Sequence, residues 1–379
     1  MKPSSARRVV TFVLVALLVV GVGVGIFVAA GGGGGKSVKT VTGLSGSEKI
    51  PFFQDERVVK RLRDLGFDVS VEPAGSREIA TKFDLTKYDF AFPAGVPAAQ
   101  EIKNRYTTLP QYSAFYTPMV IATFKPIVDI LIANGVAYRD ANGIAILDVK
   151  KYLDLVKDDV HWTQLKDNGA YPVDKSVAIT STDVRTSNSA AMYLSLASNV
   201  ANGGNTVQSK VQANAIMPLM AQLFLKQGFV AATSEQPFDD YLTIGIGKSP
   251  MVMIYEAQFV ARAAANDGSI RPGMELMYPA PTVLSKHTFV PLTPLGDELG
   301  KALTTDPKLL ELETEYGFRT AQPGAFQTFT REHRVKVEDS IINAVDPPSY
   351  ETLEYMINRI AQAYKNQDSV TPPTSTTTK

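Results

Sequence analysis

The chain has no cysteine among its 379 residues. That excludes a disulfide framework, thiol catalysis, thiolate-ligated zinc, iron–sulfur clusters and a lipid anchor on an N-terminal cysteine. Histidine is scarce. His161, His287 and His333 stand far apart and form no His-Glu-x-x-His pair, so each reads as a surface or loop residue and no metal or other cofactor is expected. An excess of charge is also missing: Lys+Arg 38 balance Asp+Glu 38, which leaves no basic field for nucleic acid and no acidic excess implying disorder. The single tryptophan, Trp162, is most simply a packing anchor. Hydrolase signatures are lacking as well. There is no Gly-x-Ser-x-Gly, no Ser-x-x-Lys at an expected helix start and no compelling Ser, His and Asp order, so no enzyme is expected. Asp183 and Glu256 meeting in a cleft is the one catalytic arrangement left open. Gly247-Lys248-Ser249 ends like a phosphate loop, but Leu242 stands where its first glycine belongs.

The clearest positive signal is at the N-terminus. After Lys2, Arg7 and Arg8, the run Val9–Ala30 carries no charge. About 22 residues at roughly 1.5 Å each make a helix of about 33 Å, enough to cross a bilayer core. The expected order is cytoplasmic residues 1–8, a transmembrane helix over 9–30 and a Gly-rich linker over 31–37, with everything beyond outside the cytoplasm. Val28-Ala29-Ala30 also resembles a cleavage site, although a signal peptide usually has a shorter apolar core of roughly 7–15 residues. At the other end, residues 367–379 are Thr/Pro-rich and read as a disordered tail.

Between these ends, short apolar runs alternate with helical patterns, as in a parallel α/β sheet whose ligands collect at strand ends. Val38–Val41 reads as a strand, followed by Thr42-Gly43-Leu44-Ser45-Gly46-Ser47-Glu48, where Ser45 and Glu48 have capping-box spacing. Val58, Leu62 and Leu65 form a helical stripe that Gly66 ends. Phe67, Val69 and Val71 alternate as a strand before Pro73-Ala74-Gly75-Ser76-Arg77. Arg77 is either a surface charge or the one cation facing an anionic ligand.

The central stretch is Ile179–Leu196. It reads as a buried strand at Val177–Ile179, a polar turn, and a helix with Met192, Leu196 and Val200 on one face. Ser187, Asn188 and Ser189 stand at that helix start, where free N–H groups and the positive dipole end suit an acceptor-rich ligand. Met251–Glu256 reads as a strand whose end offers a carboxylate and a phenol. Glu256 either accepts a hydrogen bond from a ligand or is paired or solvated. Ser349–Tyr364 reads as a final amphipathic helix carrying Leu353, Met356 and Ile360.

From about Val38 to Thr320 the chain resembles the type II periplasmic or extracellular solute-binding proteins, especially the molybdate- and phosphate-like branch. The resemblance rests on Gly43-Leu44-Ser45-Gly46-Ser47-Glu48, on Tyr116-Thr117-Pro118-Met119-Val120-Ile121-Ala122, and on the run Thr180–Ser189. Tyr255-Glu256 and Leu312–Arg319 complete it. It implies a two-lobed α/β fold of mixed sheets with helices on both faces and a hinged cleft between lobes. Residues 38–117 and 278–366 would build the first lobe, the second span including the C-terminal helix, and 118–277 the second. By the same analogy Ser45, Gly46, Ser47, Gly75 and Ser76 would touch ligand from the first lobe, and Ser187, Asn188 and Ser189 from the second. The expected function is capture of a small solute, an oxyanion favoured, for transport or sensing at the membrane, with a transporter or envelope protein as partner. The alternative is a degenerate binding fold serving cell-envelope assembly, which a cleft lined by bulky side chains would favour.

Overall fold

Eleven strands are described: β1 (Lys39–Ser45), β2 (Phe67–Pro73), β3 (Phe90–Phe92), β4 (Tyr112–Phe124), β5 (Ala137–Arg139), β6 (Ala145–Asp148), β7 (Met251–Tyr255), β8 (Met274–Ala280), β9 (Thr282–Pro291), β10 (Arg319–Thr320) and β11 (Ala344–Val345). They come from a computed structural model that describes residues 37–227, 231 and 235–370. The membrane helix expected over 9–30, most of the expected Gly-rich linker and the tail beyond Val370 lie outside the described residues. Among those described, no helix is long and apolar enough to cross a membrane.

The sheet is organised by β4. Its thirteen residues carry no charge and are mostly buried, so the strand can serve two half-sheets in succession. Tyr112–Pro118 pairs antiparallel with β9, whereas Met119–Thr123 pairs with β7 and Ile121–Phe124 with β8. Pro118, with no N–H to donate, stands where the partners change. The first half runs β2-β1-β3-β9-β4, with β1 parallel to both β2 and β3. The second runs from β4 through β8 and β6 to β5, with β7 on the other edge of β4. Parallel and antiparallel pairs coexist, so this is a mixed α/β sheet.

Each half has its own core. In the first, Phe90 stacks on Phe289 at 4.6 Å and Phe115 on Phe318 at 4.1 Å. Gly43 permits the close approach of β1 to β3, because a Cβ there would lie 2.4 Å from the Phe90 ring. In the second, helix Asn188–Ala201 is buried along nearly its whole length, so its apolar contact is wider than the expected stripe. Trp162 packs edge-on against Tyr171 at 5.3 Å, as an anchor should.

Three local expectations change. Val177–Ile179 is buried but forms no regular strand. Thr180 makes a single bridge to Val252, while Tyr152 Oη and Gln227 Oε1 take the N–H groups of Ile179 and Ser181. No capping box joins Ser45 to Glu48: Ser45 ends β1, and Ser47–Lys49 is a short 3-10 turn leading to helix Ile50–Gln54. The final helix spans Tyr350–Val370, past the start of the tail expected from 367.

Candidate functional site

The ends of β1 and β2 and the start of helix Asn188–Ala201 converge on a cavity of about 420 Å³. Gly46, Ser47 and Glu48 line it after β1, and Gly75 and Ser76 after β2. Thr186, Ser187, Asn188 and Tyr255 line it from the second half. The halves touch at its rim. A Cβ on Gly75 would stand 3.0 Å from the Thr186 carbonyl oxygen, and one on Gly95 would stand 2.9 Å from Asn188 Oδ1.

Ser187 is the N-cap of the Asn188 helix, but its side chain makes no capping hydrogen bond. Its Oγ instead lies 2.9 Å from Ser189 Oγ, which is 2.8 Å from Thr182 Oγ1. No side chain caps the first turn, and Ser187 and Asn188 at its start line the cavity, where the dipole of a fourteen-residue helix favours negative charge. Asn188 Nδ2 donates to Tyr255 Oη at 3.1 Å, which fixes both side chains on the wall. Burial pushes the Tyr255 phenol well above its ordinary pKa, so it remains a neutral hydroxyl.

Beneath the opposite wall lies a charged cluster. Lys49 is fully buried, its Nζ 2.5 Å from Glu48 Oε1, 3.1 Å from His287 Nδ1 and 4.8 Å from the Phe92 ring centre. Burial lowers the Lys49 pKa from 10.5 and Glu48 offsets part of that effect. Burial, and then the charge of Lys49, push His287 well below 6.5. A neutral His287 that accepts at Nδ1 carries its proton on Nε2, which finds no partner among the described residues. Glu48 therefore faces the cavity with its countercharge held in the core behind it.

Six of the ten residues singled out from sequence line this cavity: Gly46, Ser47, Gly75, Ser76, Ser187 and Asn188. Ser45 and Ser189 are buried just behind the wall, and Ser45 Oγ donates to the Gly46 carbonyl at 3.4 Å. Ser76 Oγ accepts from the Ala94 N–H at 2.9 Å, a bond that joins two turns.

Arg77 and Glu256 are engaged elsewhere. Arg77 donates to Glu354 at 2.8 Å and to the Arg185 carbonyl at 2.6 Å, away from the cavity. Glu256 is fully buried, accepting from Arg319 at 2.7 and 2.9 Å and from Tyr278 at 2.5 Å. It opens helix Glu256–Ala265 instead of ending a strand. Consecutive side chains at a strand end point to opposite sides, so Tyr255 facing the cavity puts Glu256 in the core. That alternation was the available signal for Tyr255. For Glu48 the signal was its place beside Ser47.

The cavity serines show no nucleophile geometry: no hydrogen bond to a histidine or carboxylate is found for Ser47, Ser76 or Ser187 among the described residues. Asp183 is bound by Arg185 at 2.6 Å and Glu256 by Arg319, so these two acids form no catalytic pair. No cluster of His, Asp and Glu suited to a metal occurs among the described residues. Two larger concavities, about 1170 and 1100 Å³, lie elsewhere. The first is lined by helix Val96–Arg105 and the C-terminal helix. The second is floored by Ala261, Ala264, Ala265 and Ala325. The smaller cavity joins the start of helix Asn188–Ala201 to the glycine and serine turns after β1 and β2, so it is the candidate site.

No protein-family model matches the chain, and no curated protein matches it in sequence. Solved structures do match in shape. A periplasmic thiamin binding protein aligns over 86% of this chain and 96% of its own, at 11% identity and a TM-score of 0.56. The sulfate-binding protein SubI from Mycobacterium tuberculosis H37Rv aligns over 78% and 91%, at 15% identity and a TM-score of 0.46. The periplasmic molybdate-binding protein of Azotobacter vinelandii aligns over 74% and 100%, at 11% identity and a TM-score of 0.45. With its mixed sheet and its two half-sheets joined through β4, the chain shares the fold of that periplasmic thiamin binding protein.

Proposed function

We propose that this protein captures a small solute, an oxyanion, in the cavity between its two halves, for transport or sensing at a membrane to which residues 9–30 tether it. The observation that carries the reading is the start of helix Asn188–Ala201. Its first turn has no side-chain cap, and Ser187 and Asn188 at its start line a cavity walled mostly by small residues, together with Tyr255 and the carboxylates Glu48 and Glu78. Neutral donors at a helix N-terminus bind an anion without a counter-charge, which fits a site whose nearby arginine is committed elsewhere. Glu48 sets a condition. Glu48 is paired with Lys49 and the second wall carboxylate, Glu78, with Lys82, and a ligand oxygen facing either is accepted when it brings a proton.

The small size of the wall residues also supports capture over the envelope-assembly reading, for which bulky side chains filling the cleft would be expected. The thiamin-binding neighbour supports the binding fold alone, because a fold does not fix a ligand. An assignment as a binding protein and not an enzyme agrees with the serine contacts and with the separate pairing of Asp183 to Arg185 and Glu256 to Arg319.

Equilibrium dialysis against radiolabelled phosphate, sulfate and molybdate tests the ligand class. Saturable uptake of one of them, lost in Ser187→Ala combined with Ser47→Ala, is the expected result; no uptake of any overturns the oxyanion. Carbonate extraction of membranes tests the tether. The full chain should stay in the pellet and a chain lacking residues 9–30 should not.

A further inference from the structure

The C-terminal helix Tyr350–Val370 serves both halves. Leu353, Met356, Ile357 and Ile360 recur on one helical face and are buried in the core of the second half. Tyr355 Oη donates to Asn214 Oδ1 at 2.8 Å, which fixes the helix to Lys210–Leu225. Glu354 and Asn358 are one turn apart on the adjoining face, and both meet Arg77 of the first half. Arg77 Nε donates to Glu354 Oε2 at 2.8 Å, and Nη2 lies 2.6 Å from the same oxygen and 3.5 Å from Asn358 Oδ1. Its Nη1 reaches the backbone carbonyl of Arg185, also in the second half, at 2.6 Å. One guanidinium thus joins two elements of the second half to the first.

The position of this contact matters. Gly75 and Ser76, just before Arg77, line the cavity from one side, and Thr186 and Ser187, just after Arg185, line it from the other. Beside Arg77, a concavity of about 1170 Å³ is lined by the C-terminal helix and by first-half helix Val96–Arg105, which touch at its edge. The helix meets the first half through this guanidinium and through Tyr350, which packs at the edge of the core around Leu44 and Ile79; Arg77 supplies the polar part of that contact. The Arg77 and Glu354 side chains are 30% and 19% exposed, so the bond is shielded from water more than a surface pair yet remains accessible to it.

We propose that the C-terminal helix is a strap, with Arg77 as its clasp, that holds the two halves closed whether or not the cavity is filled. Closure is then biased in advance, and a solute spends less of its binding free energy on bringing the halves together. A partner that displaces Arg77 or draws off the helix releases the cavity. The clasp stands independently of solute capture; only its effect on affinity rests on that reading.

The absence of cysteine allows two unique labels. Lys60→Cys in the first half and Val211→Cys in the second lie at side chains 78% and 80% exposed. Spin labels at these sites on the full-length chain in detergent report the distance between halves with no ligand added. One narrow distance is expected for the parent protein. Arg77→Ala and Glu354→Gln should each give a longer, broader distribution, and the double variant should open no further than either alone. Unchanged distances in both single variants overturn the strap. Should Arg77→Ala lose its cooperative melting, Glu354→Gln, which keeps the side-chain shape, decides the matter. Failure to bind any oxyanion while these distances respond as stated would reject the ligand and leave the strap standing.

Discussion

Arg319 and Glu256 meet at two points inside the protein, Nε to Oε2 at 2.7 Å and Nη2 to Oε1 at 2.9 Å, with both side chains almost wholly out of water. Arg319 lies in β10, paired to Tyr116 and Phe115 of β4, while Glu256 opens the helix that follows β7. The pair therefore fastens a second-half helix to the strand that crosses between halves. Removing one partner leaves a buried charge uncompensated. Glu256→Ala should cost roughly 3–5 kcal/mol. Urea unfolding would read it as a lower midpoint with an unchanged slope. A loss below about 1 kcal/mol, the range of a surface pair, would contradict this role.

His287 gives the acid limb of the stability profile. Its pKa is pushed well below 6.5 in the folded protein, so the unfolded chain binds the proton first as pH falls. Stability that is full above pH 6.5 should decline below it, towards the folded pKa. His287→Gln should flatten the melting temperature between pH 6.5 and 5, whatever it does to the value at pH 7. An unchanged slope would count against the buried neutral imidazole.

Glu313 acts in the opposite direction. Neither carboxyl oxygen has a partner among the described residues, and burial raises its pKa well above 4.5. The folded state holds a proton that the unfolded chain releases above pH 4.5, so this contribution is full below 4.5 and lost as pH rises towards the folded pKa. Glu313→Gln should raise the melting temperature at pH 7 more than at pH 4.5. An equal change at both pH values would mean that the carboxyl is ionised in the native protein.

Gly75 brings the two halves close at the cavity mouth, since a Cβ there would already stand 3.0 Å from the Thr186 carbonyl. Gly75→Val should prop the halves apart, weakening solute binding at least about tenfold, which is about 1.4 kcal/mol. Calorimetric titration would measure this. Affinity equal to the parent's would show that closure at this rim is not part of binding.

Much of the fold was legible because its signals are local. Gly66 ends a helix at φ +99°, and Phe67–Pro73 alternates as a strand. The two turns ending β1 and β2 announced themselves by glycine and serine, and the Asn188 helix by its polar start. What stayed hidden depends on partners far along the chain. Glu256 looked like a strand-end carboxylate until Arg319, 63 residues on, took both its oxygens. Arg77 looked like a surface charge or a ligand cation, and neither reading could foresee Glu354, 277 residues away. The strand expected at Val177–Ile179 failed similarly, because Tyr152 and Gln227 side chains took its backbone donors. Lys49 drew no attention, since a lone lysine after a turn is ordinarily solvated.

The central claim is solute capture at the Asn188 helix start, and thermal unfolding of residues 38–379, a compact unit, tests it most directly. The panel would hold oxyanions, sugars, amino acids, metal ions and thiamin. A ligand at about a hundred times its dissociation constant adds about 2.7 kcal/mol to stability, a visible rise in melting temperature. The account predicts such a rise with one oxyanion, abolished when Ser187→Ala is combined with Ser47→Ala. No rise with any member of the panel, or a rise that survives both substitutions, would contradict it.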